Sequence, residues 1–128
     1  MKVGFVGHKG KMTEDEVVKL KDKLEGLSPS EVYHGGCIGS EQQFHDLSCK
    51  LGYKINVYPP TFKELQGDYS KGETTVLESL PFIHRNRKIV DVSDNMIVAT
   101  EDKYGSLLDS SWATVRYSQQ KGKEVYTL

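Results

Sequence analysis

Glu31-Val32-Tyr33-His34-Gly35-Gly36-Cys37-Ile38-Gly39-Ser40-Glu41 carries the clearest structural signal in this chain. A short β-rich segment, Glu31 to Tyr33, runs into a turn with three glycines in five residues. A helix-like segment follows, from Glu41 to Leu51. Strand, glycine turn and helix form an α/β unit in which bare backbone N–H groups and a positive helix end face an anion, usually a phosphate. Glycine allows positive φ and close backbone approach at such a turn. The same pattern also serves a tight strand-to-helix turn with no ligand, and the turn by itself does not separate the two.

Outward from that turn, strand-like and helix-like segments alternate. Val3 to Val6 is β-rich and ends at Gly7. Thr13 and Glu16 have capping-box spacing and open a helix with Val17, Val18, Leu20 and Leu24 on its apolar side; Gly26 and Pro29 stop it. Phe44, Leu47, Ser48 and Leu51 make a helical stripe that Gly52 ends. Ile55 to Tyr58 is a third strand, stopped by Pro59-Pro60, and Thr61 to Leu80 reads as a long loop without period. Pro81 suits the first turn of a helix that reaches about Asp94, with Ile83, Ile89, Val90 and Val92 as its apolar positions. Asn95 to Ala99 is a fourth strand. A loop from Thr100 to Asp109, a helix from Ser110 to Lys121 and a fifth strand from Glu124 to Leu128 complete the chain.

This order predicts one Rossmann-like α/β domain over residues 1–128, with a mostly parallel five-stranded sheet and helices on both faces. Ligands of such sheets bind beyond the carboxyl ends of the strands, near the point where strand order reverses. The segments placed there are Gly7-His8-Lys9-Gly10, His34 to Ser40, Tyr58-Pro59-Pro60 and Thr100 onward.

Composition fits a globular domain, with 37% apolar and 27% charged residues. No apolar run approaches the roughly 20 residues that span a bilayer. The N-terminus is too short and polar-flanked for a signal peptide. Two cysteines, Cys37 and Cys49, lack CxxC spacing and point to a reducing cytoplasm. His34, Cys37 and His45 are near one another in sequence, but Cys37 sits inside the glycine turn, so no metal site is expected. No cofactor is expected either. A net charge of −1 argues against a nucleic-acid partner and for a small anionic ligand. Positive charge is nevertheless grouped, as His8, Lys9 and Lys11 and as His84, Arg85, Arg87 and Lys88. Helices of this fold often pair through apolar faces, which leaves a homo-oligomer open.

Several residues carry two readings. Arg85 suits bidentate phosphate binding, or a surface pair with Asp91 or Glu78. Ser40 suits an N-cap or a phosphate contact. His34 reads as a ligand donor or as a structural histidine. Lys9 reads as a ligand contact or a free surface lysine, with His8 beside it. Trp112 stacks on a base or packs in the core. Arg87 and Lys88 read as a solvated helix face.

Three blocks together resemble a known group. They are His34 to Glu41 with Tyr58-Pro59-Pro60 downstream, Pro81 to Val90, and Ser110-Ser111-Trp112-Ala113-Thr114-Val115-Arg116-Tyr117 with Lys121 to Val125. Their order and spacing are similar to the SLOG superfamily, above all to its small YspA-type members. That Rossmann-like group includes the DprA/Smf DNA-processing proteins and the Lonely Guy nucleotide hydrolases. The resemblance implies a domain that binds a nucleotide or an ADP-ribose-like ligand. It implies that Gly35, Gly36 and Gly39 line the site with Ile38, Tyr58 and Pro59 alongside, that Arg85 and Asn86 reach phosphate or ribose, and that Ser110-Ser111 starts a second anion-binding helix. The chain departs from the pattern there. Glycine-threonine is usual where Ser110-Ser111 stands, and the hydrolase branch places a glutamate where Thr114 stands. The expected function is therefore a sensing, carrying or sequestering module. The runner-up is an N-glycosidase of nucleoside monophosphates with Glu41 as its carboxylate. A DNA-processing-type domain comes third, disfavoured by the charge.

Overall fold

The computed structural model describes all residues, Met1–Leu128. Six strands form one sheet: β1 (Lys2–Gly7), β2 (Glu31–His34), β3 (Lys54–Val57), β4 (Thr74–Val76), β5 (Asn95–Ala99) and β6 (Glu124–Thr127). Their order is β4-β3-β2-β1-β5-β6 and every pairing is parallel. Four helices connect them: α1 (Glu14–Leu27), α2 (Ser40–Leu51), α3 (Phe82–Val92) and α4 (Ser110–Gln120). None is long and apolar enough to cross a membrane.

The sheet has six strands rather than five. Thr74–Val76 lies in the stretch that reads as loop, yet it pairs with β3 through Ile55↔Thr74 and Val57↔Val76. Three residues are too few to show a period of two. The helix α1 also runs through Gly26, and Ser28 ends it in the left-handed conformation at φ 51°. Pro29 disfavours a helical backbone at Ser28 and so sets the stop. At its start the reciprocal Thr13–Glu16 capping box is formed.

Alternation along the strands builds two cores. Val3 and Phe5 of β1, Val32, Ile55, Val57, Ile97 and Ala99 face α1 and α2, where Leu20, Leu24 and Phe44 meet them. Val6, Tyr33, Tyr58 and Met96 face the other way, onto Ile89 and Val90 of α3. The connections from β1 and β2 thus go to one face, and those into α3 and α4 to the opposite face. Strand order reverses between β1 and β5.

Phe44 is fully buried and stacked on Phe5, with ring centroids 4.5 Å apart. Phe44→Ala is expected to destabilise the domain by about 3–5 kcal/mol, the range for emptying a large aromatic site. Equilibrium urea denaturation followed by circular dichroism measures it.

Candidate functional site

The glycine turn is built around a buried ion pair. Glu41, in the first turn of α2, is fully buried. One carboxylate oxygen accepts the Cys37 N–H at 3.0 Å and the other accepts the Gly7 N–H at 3.4 Å. Arg85 of α3, 1% exposed, brings Nη2 to 3.9 Å from that second oxygen. Its remaining donors are committed too. Nη1 donates to the Gly35 carbonyl at 3.3 Å and to Cys37 Sγ at 3.1 Å. Nε and Nη2 both donate to Asn86 Oδ1, at 3.4 and 3.2 Å. The guanidinium also lies over the Phe82 ring, 4.5 Å from its centroid. Burial pushes the Cys37 thiol up, so it stays a neutral acceptor.

The close approaches that the glycines allow are approaches to protein. Gly39 has φ 90°, and a Cβ there would stand 1.9 Å from the Lys9 carbonyl oxygen. Gly36 has φ 69°, and a Cβ there would meet the Tyr69 hydroxyl and Val57. The segment after β3 folds back over this turn. Ile38 N–H donates to Leu65 O, Gly67 N–H and the Tyr69 hydroxyl donate to Gly36 O, and Gln42 exchanges bonds with the Asp68 backbone. Burial pushes the Tyr69 hydroxyl up to about 12, so it remains a donor throughout the neutral range.

Beside this turn runs a chain of buried imidazoles. Gly36 N–H donates to His34 Nδ1, His34 Nε2 meets His45 Nδ1 at 2.9 Å, and His45 Nε2 meets the Lys71 carbonyl at 3.1 Å. A backbone donor on His34 Nδ1 fixes the proton on Nε2 and passes the same tautomer to His45. Burial above all, then His45 and Arg85, hold His34 well below the ordinary histidine range. Ser40 is buried as well; its hydroxyl donates to the His8 carbonyl, and Gly39 rather than Ser40 takes the N-cap position of α2.

The opening lies one step away, where strand order reverses. A cleft of about 490 Å³ sits between the ends of β1 and β5, lined by Gly7, His8, Lys9 and Gly10 on the β1 side. Glu101, Asp102, Ser106, Leu108, Asp109 and Ser110 line it from the β5 side, with Phe82. Of the residues singled out from sequence, Gly7, His8, Lys9 and Ser110 reach this lining. Asn86 lines an adjoining recess. His34, Gly35, Gly36, Ile38, Gly39, Ser40, Glu41, Tyr58, Pro59, Arg85, Ser111 and Trp112 are not among the cleft's lining residues. Trp112 instead donates Nε1–H to the Asp102 carbonyl at 2.6 Å and pins the loop to α4.

Two of the three carboxylates of the cleft, Asp102 and Asp109, serve the loop. Asp109 caps α4, accepting from the Ser111 N–H at 2.9 Å, and its other oxygen accepts the Asp102 N–H at 3.1 Å. Burial pushes its carboxyl up, but the bonds from Ser111 and the Asp102 backbone outweigh that and hold it below the usual range. Asp102 accepts from the Tyr104 and Ser106 N–H groups. Glu101, Asp102 and Asp109 carried no period or motif, although an aspartate just before the Ser110 helix is an N-cap signal. Two buried polar atoms at the strand ends have no partner: His8 Nδ1, on the cleft lining, and Thr100 Oγ1, one residue past β5. Ser48 Oγ, within α2, is a third buried polar atom without a partner. No set of three or more His, Cys, Asp or Glu side chains converges as a metal site.

No family model matches the chain, and no curated protein matches it. Among solved structures, the chain is similar to the X-ray structure of TM1055, a structural-genomics target, at 20% identity and a TM-score of 0.67. The likeness covers 97% of this chain and 71% of that one. It supports the Rossmann-like α/β fold.

Glu41→Ala leaves the Arg85 charge and two backbone donors buried without their carboxylate. It should cost about 3–5 kcal/mol, as for other broken buried pairs, read by urea denaturation. His34 supplies a second expectation. Its folded form resists protonation while the unfolded chain takes up a proton near pH 6.5, so stability is lost as pH falls through that value. Between pH 7.5 and 5.5 the loss from this group is about 1.4 kcal/mol. A His34→Asn variant should be less stable at pH 7.5 and show a correspondingly shallower decline; an unchanged pH slope would remove His34 as its source.

Proposed function

We propose that the protein is a small binding module for a nucleotide-type anion, held in the cleft between the ends of β1 and β5. The supporting observation is the cleft itself, lying where strand order reverses, with Lys9 and the Gly7–Gly10 backbone on one wall and the start of α4 on the other. Lys9 is exposed and is the one lysine or arginine of a lining that also holds the carboxylates of Glu101, Asp102 and Asp109. Glu101 offers an acceptor for a ribose hydroxyl, and His8 Nδ1 has no internal partner. The motif resemblance to the SLOG superfamily points the same way.

Binding without hydrolysis is the reading we favour. An N-glycosidase needs a carboxylate free to activate water or to steady an oxocarbenium-like centre. The Glu41 carboxylate is buried on Cys37, Gly7 and Arg85. Thr114, in the position where the hydrolase branch has its glutamate, is buried, and its hydroxyl bonds back to the Ser110 carbonyl.

Isothermal titration with purine and pyrimidine nucleotides tests the proposal. Lys9→Ala should weaken the tightest binder by about 1.5 kcal/mol or more, roughly tenfold, while leaving thermal stability unchanged. The same nucleotides should yield no free base on long incubation. Binding that ignores Lys9, or steady base release, would overturn the reading.

A further inference from the structure

Next to the polar cleft lies an apolar recess of about 340 Å³, lined by Phe82, Ile83, Leu107, Leu108, Ala113 and Tyr117 among others. The two share Phe82, Leu108 and Ser110, so they adjoin. The loop between β5 and α4 is fastened at both ends. Lys103 Nζ donates to the Thr100 and Leu128 carbonyls and pairs with Glu16 at 2.9 Å. Asp102 is held by Trp112 and Asp109, and Asp109 caps α4. Between these anchors the tip Tyr104–Leu108 stands in water. Tyr104 is 95% exposed, Leu107 83% and Leu108 97%, with Gly105 at φ 80° between them.

Three large side chains on a five-residue tip lose hydrophobic free energy in that position and recover it on burial. Two of them, Leu107 and Leu108, already border the recess. We propose that this recess receives the flat, uncharged ring of the ligand, a nucleobase, and that the tip closes over it with Leu107 and Leu108. The polar cleft then holds the phosphate and sugar end. This rests on the reading of the cleft as a nucleotide site and assigns ring recognition to Leu107 and Leu108, outside the sequence motifs, together with Phe82, Ile83, Ala113 and Tyr117 within them. Phe82 has a part in both halves: its ring borders each of them and lies against the buried Arg85 guanidinium.

The probes are AMP, which carries a base, and ribose 5-phosphate, which does not. Titration calorimetry compares wild type, Lys9→Ala and the double variant Leu107→Ser/Leu108→Ser, whose exposed positions leave the core untouched. The wild type should bind AMP at least tenfold more tightly than ribose 5-phosphate. The double variant should lose about tenfold for AMP and nothing for ribose 5-phosphate, whereas Lys9→Ala should weaken both. AMP should also protect the bonds after Tyr104, Leu107 and Leu108 from chymotrypsin, and ribose 5-phosphate should not. A double variant with wild-type AMP affinity, in a protein where Lys9→Ala still weakens both probes, overturns the ring recess and leaves the cleft reading standing. A wild type that binds neither probe overturns both. If the wild type sediments as a dimer and the double variant as a monomer with AMP affinity intact, the patch is a subunit contact and the proposal fails.

Discussion

Arg85 and Glu41 come from helices on opposite faces of the sheet and meet over the ends of β1 and β2. A charge removed from water costs several kcal/mol unless it is paired and hydrogen-bonded. Here the guanidinium rests on Gly35 O, Cys37 Sγ and Asn86 Oδ1, and the carboxylate takes the Cys37 and Gly7 N–H groups. Those partners lie at the end of β1, in the turn after β2 and in α3. The pair therefore ties together the turn after β2, the end of β1 and the first turns of α2 and α3. Shifting any of these elements separates a buried charge from its acceptors, and that cost holds the glycine turn in one geometry.

The arrangement changes what the glycine turn is for. Bare N–H groups at a strand end and a helix N-terminus attract an anion, and the chain supplies one of its own in Glu41. The segment from Leu65 to Lys71 then closes over the turn, with Gly67 and Tyr69 on the Gly36 carbonyl and Lys71 on His45. The positive φ values at Gly36 and Gly39 serve contact with Tyr69 and with the Lys9 backbone. The histidine chain belongs to the same construction. It carries the Gly36 N–H, through two rings, to a carbonyl in the covering segment, so the turn and its cover are hydrogen-bonded as one unit.

Much of this was legible in the sequence where the signal is local. The Thr13–Glu16 capping box, the Gly52 helix stop and the β-rich runs Val3 to Val6 and Asn95 to Ala99 follow from patterns a few residues long. The parallel α/β architecture follows from those. What could not be read is what depends on distant packing. Arg85 stands in a basic run with Arg87 and Lys88, and only the docking of α3 against the turn after β2 distinguishes the buried guanidinium from its exposed neighbours. β4 is three residues long and acquires strand character from β3. The lining of the cleft between Glu101 and Asp109 has no period, because its side chains cap turns and the α4 start rather than face a core.

Topology, more than motif, explains why one strand end is covered and another open. β1 and β2 both send the chain to the face that holds α1 and α2, so the turn after β2 lies among elements that can pack over it. β1 and β5 are neighbours that send the chain to opposite faces, toward α1 and α4. Loops that diverge in this way cannot cover each other, and a crevice stays open between them in any doubly wound sheet. Here the crevice retains exposed Lys9, the unpartnered His8 Nδ1 and the start of α4. The glycine-rich turn, which draws the eye in the sequence, braces one side of that crevice through Glu41 on Gly7 and Ser40 on His8. These two bonds fasten the β1 loop to the start of α2.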